Sequence, residues 1–222
     1  CDGVCLTLIS YKNKILEFYL SNETIKRSNF KNIKLFKSKK IINADKKIVI
    51  PGIIDIHFHV RAPSFPQRGT VQSETKAAAK GGITTLFEMP ISNPCMSNAR
   101  VLNDRKKHFD ENTYINFAMI PALGKFNDKN LNGLINSGAI AFKVFTIAPP
   151  INRKSEFEGL CFTEEKNILK ALIHAKKSNL ITIFHAEDQA LLDHFEKKQK
   201  NFKKNNPAMH NAMRPAVAEA SA

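Results

Sequence analysis

Apolar and polar positions follow two different rhythms along the chain, and the change falls at Pro51-Gly52. Before it, short β-branched runs at residues 4–10, 14–20, 33–36 and 48–50 are separated by polar turns such as Tyr11-Lys12-Asn13 and Ser21-Asn22-Glu23. That spacing predicts strands of a small β module over residues 1–50.

After Pro51, strands and helices alternate. Apolar, β-branched runs predict strands at 53–60, 83–89, 114–120, 139–146 and 180–185, and the first of these reads as buried. Helical spacing predicts helices at 70–80, 98–110, 127–137, 164–177 and 188–204. Gly81-Gly82 stops the first of them, as a left-handed C-terminal cap would, and Gly138 ends the third. The helix at 164–177 has the fullest signature. Thr163 caps it, Glu164 and Glu165 suit its positive end, and Lys176 and Lys177 its negative end. Ile168, Leu169, Leu172, Ile173 and Ala175 form its apolar stripe. Loops are expected at 62–69 and from Pro149-Pro150 to Cys161, and the end of the chain reads as the opening of another helix.

Five β-then-α units in series imply a parallel sheet, either open and doubly wound or closed into a barrel. His57, His59, Met89-Pro90, Lys143 and His185 all fall late in their strands or just after them. Polar groups collected at strand C-terminal ends favour the barrel. A whole barrel takes ~250 residues, more than follow Pro51, so the chain is expected to stop after about five of eight units.

Alternate strand residues share a face, so His57 and His59 point the same way, roughly 7 Å apart along the strand, with Asp55 on that face too. Two such imidazoles can converge on zinc, iron or nickel, although strand histidines that only bond to neighbours leave the same pattern. Lys143 sits in the apolar run Ala-Ile-Ala-Phe-Lys-Val-Phe, where burial disfavours its ammonium form. A neutral amine can add carbon dioxide and become a carbamate with two oxygens for metals. A lysine paired with a carboxylate, or reaching past the strand end, is the plainer reading of the residue alone. His185, in Ile-Phe-His-Ala-Glu-Asp, is either a third imidazole ligand or a capping or core histidine. Arg61 follows His59 by two residues and is either a carboxylate grip or part of a loop salt bridge.

Pro51-Gly-Ile-Ile-Asp-Ile-His-Phe-His, Gly81-Gly-Ile-Thr-Thr with Met89-Pro90, Ala141-Phe-Lys-Val-Phe and His185-Ala-Glu-Asp together resemble the amidohydrolase superfamily. The match is to its cyclic-amide branch of dihydroorotases, allantoinases and hydantoinases, and runs from about residue 45 to the end. The resemblance implies an α/β fold: a (β/α)8 TIM-type barrel, truncated here after about five βα units, beside part of a small flanking β-sandwich. Residues 1–50 would be the partial sandwich and residues 51–222 the N-terminal part of the barrel. It also implies two divalent metal ions, zinc first. His57 and His59 would bind one, Lys143 as its carbamate would bridge both, and His185 would bind the other. The implied activity is hydrolysis of a cyclic amide, dihydroorotase-like or allantoinase-like. A catalytic aspartate and a further metal histidine are implied on later strands, so these residues alone are expected to be inactive. Arg61 stands where dihydroorotases grip a substrate carboxylate. Ile91-Ser92-Asn93 replaces the asparagine that directly follows the proline there, which leaves Asn93 as the substrate contact. A non-catalytic relative acting as a scaffold or assembly partner is the alternative.

Composition narrows the rest. Net charge is +14, from 34 Lys and Arg against 20 Asp and Glu, but the lysines are dispersed and low-GC coding bias explains them. No nucleic acid partner is therefore expected. No apolar run is long enough to cross a bilayer, so no membrane partner is expected, and the scattered Cys1, Cys5, Cys95 and Cys161 read as reduced thiols of a cytoplasmic protein. The expected partners are a small cyclic amide and further copies of the chain. His108, His174 and His194 are read as surface or packing residues on helices, and His210 as a loop residue.

Overall fold

Strand β3 (Ile53–Phe58) pairs in parallel with β4 (Ile83–Glu88), and β4 with β5 (Asn116–Met119). A second parallel pair joins β6 (Ala141–Phe145) to β7 (Ile181–His185). The two sheets meet along a seam, where the Ile140 N–H donates to the Met119 carbonyl at 3.3 Å and the Lys143 N–H to the Pro121 carbonyl at 2.9 Å. The five strands thus follow one another in chain order. These features come from a computed structural model, which describes residues 7–12, 15–19, 50–198 and 207–222. Antiparallel β1 (Thr7–Lys12) and β2 (Ile15–Tyr19) form a hairpin ahead of the parallel strands. The strand expected at 33–36 lies outside the described residues, and so does residues 48–50 apart from Ile50.

Each crossover carries a helix. Helix α1 (Val71–Lys80) opens with Thr70 and Ser73 bonded reciprocally, so two of its free N–H groups are satisfied. Helices α2 (Ala99–Asn112) and α3 (Asp128–Asn136) open on Asn98 and Asn127, whose side chains accept from the N–H three residues on. Then come α4 (Glu165–Lys176), α5 (Gln189–Lys198), α6 (Pro207–Met213) and α7 (Ala216–Ala220). The principal core lies between strands and helices and includes Leu86, Leu102, Phe109, Leu131, Leu134 and Phe142. A second cluster under the strand C-terminal ends contains Ile91, Phe145, Ile147, Phe157 and Leu160. It forms the floor on which the site loops rest.

Several local expectations are corrected. The first parallel strand is not buried: Ile53, Ile54 and Ile56 are exposed, and among the described residues only β4 pairs with it. The stop expected at Gly81-Gly82 is borne out: Gly82 is left-handed (φ 90°), after a right-handed Gly81. Glu164, not Thr163, precedes α4, and no side chain caps it. Of the expected stripe on that helix, Leu169, Leu172 and Ile173 are exposed, Ile168 is half-buried and only Ala175 is buried; Ala171 and His174 join Ala175 on the face turned to the core. The loop before Cys161 contains a 3-10 segment, Ile151–Phe157. His210 is on α6 rather than in a loop. Lys143 is the central residue of β6, not a late one. Among the described residues, no helix is long and apolar enough to cross a membrane.

Candidate active site

The His57 and His59 rings lie with centroids 5.2 Å apart at the end of β3. Asp55, expected on their face, accepts the His57 backbone N–H at 2.9 Å and so stiffens the strand end. Loss of water, then the charges of Lys143 and His185, lower the pKa of His57 against the pull of Asp55. His59 keeps one side open to solvent, yet loss of water, Arg61, His57 and Lys143 bring it down to about 4. Both rings are therefore neutral near pH 7, the form that binds metal ions.

Lys143 is only 2% exposed on β6, and burial lowers its pKa, which raises the share of free amine. Its Nζ lies 5.5 Å from the centre of the Phe145 ring. The other face of this picture is His185, the last residue of β7, whose ring stacks on Phe145 at 4.4 Å. Its Nε2 is 2.6 Å from Glu187 Oε2. Arg214 donates to both Glu187 oxygens at 2.6 Å. Burial raises the Glu187 pKa, but the bonds from Arg214 and His185 outweigh it and hold the carboxyl below its usual value. With Nε2 committed to a carboxylate, His185 offers Nδ1 to a ligand, the arrangement by which carboxylates orient metal-binding histidines.

The structure thus brings His57 and His59, at the end of β3, within electrostatic reach of Lys143 in the middle of β6, and His57 within reach of His185 at the end of β7. Among the described residues, no group of three or more His, Cys, Asp and Glu side chains is close enough to hold a metal ion. A lysine donates through oxygen only once it is a carbamate, so this donor set fits a metal with Lys143 modified and falls short of one with Lys143 as an amine.

Arg61 has a left-handed backbone, φ 60°. It is held there by Glu88, the last residue of β4, which sequence reasoning missed. Glu88 is completely buried; its Oε2 accepts the Val60 N–H at 2.9 Å and its Oε1 the Arg61 N–H at 3.1 Å. The buried Arg105 of α2 stands 3.5 Å behind. Burial pushes Glu88 up to about 7, against the pull of Arg105 and the two N–H groups. The only signal in the sequence was a carboxylate inside an otherwise apolar strand end, Leu-Phe-Glu-Met-Pro. Around the Arg61 side chain, loss of water and the charges of Arg153 and Arg68 disfavour the guanidinium, with Glu156 and Glu88 opposing. A site with such an excess of guanidinium is suited to an anion.

Asn93 is exposed, and its main chain is clasped to the Arg61 loop: the Ser64 hydroxyl donates to the Asn93 carbonyl at 2.6 Å and accepts its N–H at 3.2 Å. Ile91 is buried in the cluster below. Cys95 and Cys161 are free, and burial pushes both thiols up to about 12, which leaves them inert as nucleophiles. Cys1 and Cys5 lie outside the described residues.

A family profile described as dihydro-orotase-like matches residues 46–144. A dihydroorotase of Clostridioides difficile (strain 630) is 32% identical over 155 residues, 69% of this chain and 34% of that protein. A dihydroorotase of Methanosphaera stadtmanae is 25% identical over 93% of this chain and 45% of its own length. The chain therefore spans less than half of these curated relatives. Among solved structures, an L-hydantoinase from Arthrobacter aurescens superposes with a TM-score of 0.72 at 24% identity, over 82% of this chain and 39% of its own. A D-hydantoinase superposes with a TM-score of 0.61 at 27% identity, over 78% of this chain and 37% of its own.

Proposed function

This chain is related by sequence and by fold to the cyclic amidohydrolases, the dihydroorotases and hydantoinases, and on that premise we propose that the protein hydrolyses a ring C–N amide bond with divalent metal ions. Residues 51–222 are its share of a (β/α)8 barrel, and residues 1–50 part of a flanking β-sandwich. The observation that carries the reading is the placement of two neutral, neighbouring imidazoles, His57 and His59, beside the buried amine of Lys143.

His57 and His59 would hold one ion, the Lys143 carbamate would bridge to a second, and His185, oriented by Glu187, would hold that one. Zinc suits imidazole with carboxylate-type oxygen. When bound, the ions supply Lewis-acid polarisation of a ring carbonyl and lower the pKa of water. The chain's own residues do the rest. The lowered ammonium pKa of Lys143 lets its free amine add carbon dioxide, forming an N–C bond and releasing one proton. Arg61 takes an anionic group of the substrate as a two-pronged guanidinium contact. Asn93, joined to the same loop through Ser64, adds a polar contact beside it. A ring bearing a carboxylate, as in dihydroorotate, uses this surplus of guanidinium; a neutral hydantoin or allantoin does not. Activity is assigned to the full-length protein, because the chain spans less than half the length of the curated relatives it matches.

The test is metal content by mass spectrometry on full-length protein expressed with bicarbonate, beside a Lys143→Ala variant. About two metal ions per chain are expected in the parent, with a clear loss in the variant. A well-folded parent without metal would overturn the reading in favour of a non-catalytic relative. With metal present, turnover of dihydroorotate, allantoin and hydantoins compared side by side identifies the substrate.

A further inference from the structure

The imidazole of His185 is held by three separate contacts. Its backbone carbonyl accepts the Thr146 N–H at 3.1 Å, which ties the end of β7 to the end of β6. One face of the ring lies on Phe145, with centres 4.4 Å and planes 21° apart. What remains free is a half-turn of the ring about its Cβ–Cγ bond. That turn would present a carbon to Glu187 where Nε2 now stands 2.6 Å from Oε2. The Glu187 carboxylate therefore decides which way the ring faces.

Glu187 is itself held at both ends. Its N–H donates to the Thr146 hydroxyl at 2.9 Å, and its carbonyl accepts from that hydroxyl at 2.7 Å. Its carboxylate oxygens both accept from Nη1 of Arg214 at 2.6 Å. With both oxygens acting as acceptors, the hydrogen toward Oε2 belongs to Nε2, and Nδ1 is the bare nitrogen. Arg214 lies between α6 and α7. The Asp188 N–H donates to the Ala218 carbonyl at 2.7 Å, so α7 is pinned beside the turn that carries Glu187. Ala218 is buried in the same cluster as Phe145.

We infer that Arg214 is a positioning residue for the second metal position. It fixes Glu187, Glu187 fixes the His185 ring, and Nδ1 is left to bind the ion. This rests on the hydrolase reading above and adds to it a residue far along the chain from the ligand it serves.

The test measures the affinity of each zinc ion for the full-length protein by competition with a chromophoric chelator. Partners that orient metal-binding histidines are worth roughly 10–100-fold in metal affinity. Arg214→Ala should weaken one of the two ions by that factor and leave the other unchanged. Arg214→Lys should recover part of the loss, because a single nitrogen reaches both oxygens. In a Glu187→Ala background, Arg214→Ala should do nothing further, since it acts only through that carboxylate. A merely structural role would weaken both ions together and add to the effect of Glu187→Ala. Circular dichroism melting of the metal-free proteins monitors the fold. Arg214→Met, which keeps an apolar stem without a donor, gives the reading should Arg214→Ala melt early. Equal zinc affinity in the parent and these variants overturns the inference and leaves the hydrolase reading standing, as does an additive loss in the Glu187→Ala background. A well-folded parent that binds no metal overturns both.

Discussion

Glu88 holds Arg61 by its main chain rather than by its charge: Oε1 accepts the Arg61 N–H at 3.1 Å, at a residue whose φ is 60°. The neighbouring Val60 N–H goes to the second oxygen of the same carboxyl. One buried side chain thus decides how the strand bearing His57 and His59 turns into the loop that presents Arg61.

Replacing Glu88 should therefore cost more than its size suggests. Glu88→Ala leaves the Val60 and Arg61 N–H groups without their acceptor and the buried Arg105 guanidinium without its counter-charge, the two lost acceptors alone amounting to about 2–6 kcal/mol at roughly 1–3 kcal/mol per group. Glu88→Gln keeps one acceptor oxygen and should lose about half of that. Urea unfolding at pH 5 measures both. Equal stability of parent and Glu88→Ala would show that the carboxyl holds nothing.

The same carboxyl makes stability depend on pH. Its pKa is raised from 4.5 to about 7 in the folded chain. Between those values the folded state keeps a proton that the unfolded state has released. Its contribution is thus fully present below pH 4.5 and is lost as pH rises through 7, by about 3 kcal/mol. The stability of metal-free parent minus that of Glu88→Gln isolates this group, since the histidines titrate in both. That difference should shrink steadily from pH 4.5 to pH 7.5; a constant difference would mean that Glu88 is ionised throughout.

Arg61 should separate stability from binding. A left-handed backbone costs a non-glycine residue roughly 1–2 kcal/mol, and glycine repays that less its own ~0.5–1 kcal/mol of chain entropy. Arg61→Gly is accordingly expected to be as stable as the parent or up to about 1 kcal/mol more so. It should lose calorimetrically measured binding of dihydroorotate, while Arg61→Lys keeps part of it. Destabilisation beyond 1 kcal/mol by Arg61→Gly would assign the guanidinium a structural role instead.

Legibility in the sequence followed physical scale. The parallel strands were readable because each is a largely apolar run, four of the five bounded on at least one side by glycine or proline, and Lys143 stood out as a charge inside one of them. The helix stripe at Leu169, Leu172 and Ile173 misled because hydrophobicity alone does not say which face meets the sheet. There Ala171 and Ala175 are the residues buried against the core. Glu88 was missed although it stood as a carboxylate in an apolar strand end, because the partners that give it a role are main-chain N–H groups at Val60 and Arg61, which have no sequence signature. The link from His185 through Glu187 to Arg214 spans 29 positions from first to last and depends on how α6 docks, which no local pattern encodes.

The seam between β5 and β6 has a mechanical meaning. His57 and His59 ride on one hydrogen-bonded sheet, Lys143 and His185 on the other. Their separation is set where Met119 and Pro121 receive single bonds from Ile140 and Lys143, not by a continuous ladder. The centre is a clasp with its two jaws on different plates. The turn and helix between those strands, residues 120–140, therefore bear on how far His57 and His59 stand from Lys143 and His185 without contributing any of these four side chains.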